Sequence, residues 1–472
     1  MGSLPSPHFA IFPFLSQGHI IPLLHLSRLL HRRSAAVTIF TTAANSPPIR
    51  AALLDTDVSV VELPFPQNIE GVPPGVENTQ NLPSFSSFVP FAKSIKLMQK
   101  SFENALESLN PPVSCVISDG FLGFTLQSAE KFGVPRLVFF GMGAFSSTMY
   151  QVLVSEKPHA ATNSPDEPFP MAGFPGLKLT RNDFSPPYNE VEPSGPYIEF
   201  MEEQGIAMAM SHGMIVNSFY EMEHRYVDYW DSKIGPKIYC IGPLCTAAQP
   251  PCTPEKPFYV RFLDEKLAEG KPVLYVAFGT QAEVSPEQFR EIAEGLERSE
   301  VSFLWVLKSG TQEFFPDFQE KVRNRGIVVK EWVDQLEILK HEVVKGFLSH
   351  CGWNSVLESI SAGVPILALP FMAEQHLNAR FVMEELGVGM RIMPSSGSVR
   401  GFVVAEEVEG MVRELMCGEE GEEARRKMAE CGGAACDAMK EGGSSLRTLD
   451  FLIDEMSGKS CHMGQDNPLH AN

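Results

Sequence analysis

The sequence predicts an α/β protein built as two open, doubly wound parallel-sheet domains that face one another across a cleft. Three observations predict it. Short apolar runs alternate with segments of helical period through the first half of the chain; a proline-rich stretch, PLCTAAQPPCTPEKP (243–257), interrupts them; and the alternation then starts again. Strands that alternate with helices require right-handed crossovers, which give a parallel sheet covered on both faces. At 472 residues the chain is long enough for two or three domains with proper cores.

In the first half, residues 9–12, 37–40, 58–63, 115–118, 136–140 and 214–217 read as strands, with helical period in 21–30 and 95–109. The proline-rich stretch 155–196 is too long for a simple connection and is expected to shape a site or to be mobile. In the second half, residues 273–278, 303–307, 327–329, 344–348, 366–369 and 388–392 read as strands, with helices over 286–298 and 381–386. The charged run GEEGEEARRK (418–427) reads as a solvated helix start, and a last helix over Ser444–Met456 precedes a polar tail. These readings divide the chain into a first domain (1–245), a linker (246–257), a second domain (258–450) and a helix end with tail (451–472).

Composition excludes several classes of function. A formal net charge of -20, with no basic run, argues against a nucleic-acid partner or an anionic membrane surface. Nine cysteines, odd in number and without a C-x-x-C pair, read as reduced thiols. The apolar run 9–15 follows no basic region, so it reads as a strand and not a signal peptide, and no apolar run reaches the ~18 residues of a membrane span. A soluble, cytoplasmic protein, monomeric and without a membrane or nucleic-acid partner, is expected. No metal is expected either: Asp55-Thr56-Asp57 has a D-x-D spacing but lies in a loop, and there is no H-E-x-x-H. Gly141-Met142-Gly143 lacks the third glycine of a dinucleotide fingerprint.

The most informative stretch is WVDQLEILKHEVVKGFLSHCGWNSVLESISAGVPILALPFMAEQ (332–375). A buried-strand run ends at Ser349-His350-Cys351-Gly352, and a helix opens at Trp353 and stops at Gly363. A helix N-terminus after a small-residue turn offers unpaired N–H groups and a positive dipole end, which suit phosphate oxygens. This stretch supplies no base. In the first half, the 9–12 strand leads through a turn to His19 at the start of a helix, where the dipole is expected to keep the imidazole neutral. Asp119 ends another buried strand and is a candidate to orient His19, and a candidate helix cap as well. Phe85, Phe88, Phe91, Phe140, Phe184 and Phe200, with Met98, Phe145 and Tyr188, are candidates for an apolar slot that takes a flat molecule.

The 44 residues 332–375 resemble the signature box of the plant UDP-dependent glycosyltransferases: W-x-x-Q, then H-C-G-W-N-S, L-E, G-V-P and a closing acidic residue plus Gln. Weaker similarity runs over nearly the whole chain. The resemblance implies two facing Rossmann-like domains of the GT-B type, with the site in the interdomain cleft, the acceptor held by the first domain and the UDP-sugar by the second. It assigns Trp332 to stacking on uracil, with Val333 among the donor-binding positions; Gln335 and Glu358 to the ribose; His350, Asn354, Ser355 and the Gly352 backbone to the phosphates; and Trp353, Glu374 and Gln375 to the sugar. Thr280, in YVAFGTQ, resembles the family's F-G-S turn and would meet a phosphate. His19 and Asp119 match the family's catalytic pair. The implied reaction is one inverting displacement with UDP-glucose as donor substrate, a phenolic, flavonoid-like acceptor and no cofactor. O-linkage is expected; a C-linked product or a catalytically silent UDP-sugar sensor stay open. Three positions depart from the pattern: Asp334 in place of proline, Glu374 where Asp is usual, and Gly141 where Thr is frequent.

Overall fold

A computed structural model of the chain describes residues 6–247, 256–282, 284–307 and 317–458. Most of the expected linker and the polar tail lie outside the described residues. The first half forms β1 (His8–Phe12), β2 (Ala36–Thr42), β3 (Ser59–Leu63), β4 (Cys115–Asp119), β5 (Arg136–Phe140), a hairpin of β6 (Phe169–Met171) and β7 (Phe174–Leu179), then β8 (Gly213–Val216) and β9 (Ile238–Cys240). The second half forms β10 (Val273–Ala277), β11 (Ser302–Val306), β12 (Gly326–Val329), β13 (Val344–Ser349), β14 (Ile366–Ala368) and β15 (Gly389–Arg391).

Seven strands pair in the order β3-β2-β1-β4-β5-β8-β9 and six in the order β12-β11-β10-β13-β14-β15, every pairing within both sheets being parallel. Both are doubly wound α/β sheets, so the chain has the two Rossmann-like domains of a GT-B fold. The central strands β1 (HFAIF) and β4 (CVISD) are buried throughout, as sheets covered on both faces require. In each sheet the winding reverses between two neighbours, β1 and β4 in the first and β10 and β13 in the second. Such a switch point opens a crevice beyond the carboxyl ends of the strands.

Four elements differ from expectation. The proline-rich stretch 155–196 holds the β6–β7 hairpin and is anchored to the second half, where Arg380 Nε donates to Asp183 Oδ1 at 3.0 Å and Arg400 Nε to the Asn182 carbonyl at 2.8 Å. Strand β9 is only three residues long, too short for a periodicity signal. Residues Phe381–Glu385 form a π-turn that continues the Gln375–Arg380 helix. The helix Ser444–Met456 returns to the first sheet, where Leu446, Leu449, Leu452 and Ile453 pack with Phe9, Leu23, Ile215 and Tyr239. The two halves also share apolar packing, with the Phe145 and Phe381 rings stacked at 5.1 Å.

Candidate active site

The first sheet brings together the two residues expected to carry chemistry. β1 and β4 are neighbours in register, Phe12 opposite Ser118. The chain leaving β1 turns into the helix Gln17–Arg32, which puts His19 in the first turn, and β4 ends at Asp119. His19 Nδ1 and Asp119 Oδ2 lie 2.6 Å apart, the histidine side chain 24% exposed and the carboxylate 1%. A carboxylate only accepts, so Nδ1 carries the proton and the Nε2 lone pair is left for a substrate. Asp119 Oδ1 accepts from the Phe121 amide at 2.9 Å. Behind it Arg136, itself buried, donates to the Asp119 carbonyl at 3.2 Å and to Ser118, Thr125 and Ser211.

The basicity of His19 departs from the expectation drawn from the helix N-terminus. Burial opposes the imidazolium, but the charge and hydrogen bond of Asp119, with Glu374 across the cleft, outweigh it and hold the group above its ordinary value. A full carboxylate in contact exceeds a half-charge dipole end.

Aromatic rings close around His19. Phe14 and Phe121 each stand 5.5 Å from its ring, Phe121 meets Phe140 at 6.4 Å and Phe200 at 6.2 Å, and Phe88 meets Phe121 at 5.5 Å. Phe85 stacks on Phe88 at 5.6 Å and remains half exposed. Phe91 and Phe184, expected in the same slot, are fully buried. Phe91 packs beneath it on Phe65 and Phe14, and Phe184 packs on Tyr150 and Phe169; both are core residues, because spacing cannot tell a ring that lines a cleft from one that supports it. Phe14, Phe121 and Tyr197, which meets Phe85 and Phe88, were not anticipated. The signal for the first two was position: each follows the carboxyl end of a central strand by two residues.

In the second sheet β10 and β13 are neighbours, Ala277 opposite Ser349. Thr280 stands exposed on the turn after β10, and His350 follows β13. A Cβ on Gly279 or Gly352 would lie 2.8 or 2.6 Å from His350 Nε2, so both positions require glycine for the ring to fit. Burial pulls His350 down to about 4, opposed in part by the Ala277 carbonyl, which keeps it neutral. Cys351 carries the left-handed φ of 61° in this turn and is held by Asn378, whose Nδ2 donates to the Cys351 carbonyl at 2.9 Å. The helix Trp353–Ala362 then starts at Gly352 with no side-chain cap, which leaves its first amides available, and ends at Gly363 with φ 72°.

Along this helix Ser355 and Glu358 lie on one face with Gln335, whose Nε2 donates to Ser355 Oγ at 2.9 Å and to Glu358 Oε2 at 2.6 Å while its Oε1 accepts from Tyr275 at 3.1 Å. Burial pushes the Glu358 carboxyl up to about 7; the Gln335 bond opposes this and the charge of Asp334 adds to it. Asp334, in place of proline, caps the Gln335–Leu339 helix by accepting from the Glu337 amide at 3.0 Å. Trp332 is 77% exposed and Val333 is buried beneath it. Trp353 does not present its ring as expected: the indole is buried and its N–H goes to the Asn217 carbonyl at 2.8 Å. Gln375 is also occupied on one side, its Oε1 accepting from the Phe371 and Met372 amides at 3.0 Å each. Burial raises the Glu374 carboxyl, with its own amide and the charge of His19 acting against the shift.

Further contacts join the halves at the site. Asn354 Nδ2 donates to the Gly18 carbonyl at 2.8 Å, next to His19, and Gln281 Nε2 donates to Ser16 Oγ at 2.8 Å and to Thr79 Oγ1 at 2.5 Å. A Cβ on Gly141 would sit 3.5 Å from His19 Cε1, an ordinary contact, so there is room for a small side chain here. Among the described residues no group of three or more His, Cys, Asp or Glu is placed to hold a metal ion, and no helix is long and apolar enough to cross a membrane.

A histidine paired with a buried carboxylate on one sheet, set against a helix N-terminus without a side-chain cap on the other, is an arrangement that can serve group transfer from a phosphate-bearing donor. Comparison with known proteins agrees. Residues 230–408 match the family model described as UDP-glucoronosyl and UDP-glucosyl transferase. The chain is 48% identical to UDP-glycosyltransferase 90A1 of Arabidopsis thaliana over 463 residues, covering 95% of this chain and 96% of that one. Its fold matches Glycyrrhiza uralensis UGT73P12 complexed with glycyrrhetinic acid 3-O-monoglucuronide (TM-score 0.86, 27% identity, 96% of each chain). It also matches Phytolacca americana UGT2 complexed with UDP-2fluoro-glucose and pterostilbene (TM-score 0.80, 28% identity, 96% of this chain and 100% of that one). The chain belongs to the plant UDP-glycosyltransferase family. It is an inverting, UDP-sugar-dependent glycosyltransferase of the GT-B fold that acts on small organic acceptors.

Proposed function

We propose that the protein transfers glucose from UDP-glucose to the hydroxyl of a phenolic, flavonoid-like molecule, giving a β-linked O-glucoside, and that it works as a cytoplasmic monomer. The observation that carries this reading is the 2.6 Å His19–Asp119 pair inside a wall of phenylalanine rings. A flat aromatic acceptor fits such a wall, and a phenol is acidic enough for an imidazole base to assist.

In this reading residues 1–245 hold the acceptor and 258–450 the donor, with the last helix bracing the first domain. His19 Nε2 takes the acceptor proton, Asp119 stabilises the imidazolium, and the oxygen attacks the anomeric carbon opposite the departing UDP. The bond from that carbon to the phosphate oxygen breaks, and UDP leaves with the electron pair. Its charge meets the amides at Gly352 and Trp353, the Ser355 and Thr280 hydroxyls and the neutral His350 ring. Ser355 Oγ accepts from Gln335, so its own proton is free to donate. Trp332 stacks on uracil, Glu358 accepts from the ribose, and Glu374 with the free Nε2 of Gln375 reads the sugar hydroxyls.

Incubation with UDP-glucose and a panel of phenols, followed by mass spectrometry before and after acid hydrolysis, tests the reading. It predicts UDP release and a product that loses one hexose in acid. An acid-stable adduct would indicate C-linkage, and no UDP release with any acceptor would indicate a sensor.

A further inference from the structure

The second half of the chain contains a cavity of about 410 Å³, bounded by the end of β15, the 394–403 connection, the Leu369-Pro370-Phe371 run and the start of the Pro286–Ser299 helix. None of the residues assigned to UDP-sugar or acceptor is in its wall. Although the chain has 58 acidic residues against 38 basic ones, the described lining contains no Asp or Glu and does contain Arg391, Arg400 and His376.

The two arginines have no ion pair in the wall, although the charge of Asp183 acts on both. Arg391 is 4% exposed; its Nη2 donates to His376 Nδ1 at 2.8 Å and to the Val399 carbonyl at 3.0 Å, while Nε and Nη1 have no acceptor. A histidine that accepts this bond is neutral and supplies no charge. Arg400 donates Nε and Nη2 to the Asn182 and Phe184 carbonyls, both at 2.8 Å. The neighbouring carboxylate of Asp183 is taken by Arg380 at 3.0 and 3.2 Å and by the Thr180 amide at 2.8 Å. An unpaired guanidinium away from water is strongly unfavourable, and burial pulls Arg391 down to about 10. Leu369, Phe371, Ile392 and Phe402 supply the apolar part of the wall, and of its remaining polar side chains Gln288 is paired with the Val403 backbone.

We propose that this cavity binds a small organic carboxylate, with its charged end on Arg391 and its apolar body against Phe371 and Phe402. The planar guanidinium matches a carboxylate in both shape and charge, and the apolar wall disfavours a fully hydrated inorganic anion. The site is separate from the UDP-sugar position and adjoins it, because the Phe371 amide that holds Gln375 belongs to the same wall.

The test is calorimetric titration of the full chain, saturated with UDP, using benzoate, its neutral counterpart benzamide, and inorganic phosphate. Benzoate is expected to bind one site with UDP in place, and benzamide and phosphate at least about tenfold more weakly. Arg391→Met should weaken benzoate about tenfold or more. Arg400→Gln, nearer the surface, should also weaken it while UDP affinity stays unchanged, and it decides the matter if Arg391→Met does not fold. Displacement of benzoate by UDP, equal binding of benzamide or phosphate, no benzoate binding at tens of millimolar, or undiminished affinity in the folded variants would overturn the proposal.

Discussion

His19 shows how one contact decides a residue's chemistry. Its sequence position at a helix start suggested a lowered basicity, whereas the carboxylate that raises it arrives from a strand 100 residues away. In the proposed mechanism the base acts in its neutral form, so kcat/KM should rise with pH and level off above a midpoint higher than the ordinary 6.5 of histidine. In Asp119→Asn burial remains without the counter-charge, so the midpoint should move below 6.5 and the plateau should fall about 10²-fold or more; pH–rate profiles of both proteins check this. Glu358 makes a second prediction. Its carboxyl is held near 7, and ribose hydroxyls favour the carboxylate, so UDP-glucose binding at about pH 7 should release a proton and tighten as pH rises through that value. Calorimetry in buffers of different ionisation enthalpy should show the release in the wild type and not in Glu358→Gln. The same raised value makes protonated Glu358 favour the fold, a contribution present below 4.5 and lost as pH climbs through about 7.

At the scale of elements, the candidate site was legible where its residues stand at the ends of strands that read clearly. The apolar runs of β1, β4, β10 and β13 put His19, Asp119, Thr280 and His350 at or just beyond the carboxyl ends of strands. What was not legible depends on partners distant in sequence. Trp353 is spent on Asn217, 136 residues away. Phe91 and Phe184 are core, while Phe14 and Phe121 line the base. The β6–β7 hairpin lies in a stretch whose prolines mask its alternation. Gln281, outside the signature box, spans the cleft to Ser16 and Thr79. Gln281→Ala should therefore raise KM for both substrates several-fold and leave thermal stability nearly unchanged; steady-state kinetics beside a melting curve would show it, and a melting point lowered in step with activity would refute the clasp.

At the scale of the molecule, sequence order and spatial order part at the C-terminus. Two domains in series were expected, but the helix Ser444–Met456 crosses back and seals the first sheet, where Tyr239 donates to Glu455 at 2.8 Å and Leu449 is fully buried. Leu449→Ala should cost about 2–5 kcal/mol, and hydrogen exchange should locate the loss of protection in β9 and the Gln17–Arg32 helix. Protection lost only in the second sheet would contradict this packing. In the proposed mechanism catalysis is a property of both domains, since residues 332–375 supply no base and His19 supplies no grip on phosphate. The most direct test compares His19→Ala with the wild type in glucose transfer from UDP-glucose to a phenol, with UDP affinity measured on the same samples. Turnover should fall about 10²- to 10⁴-fold with UDP binding intact; unimpaired turnover by His19→Ala would contradict the account.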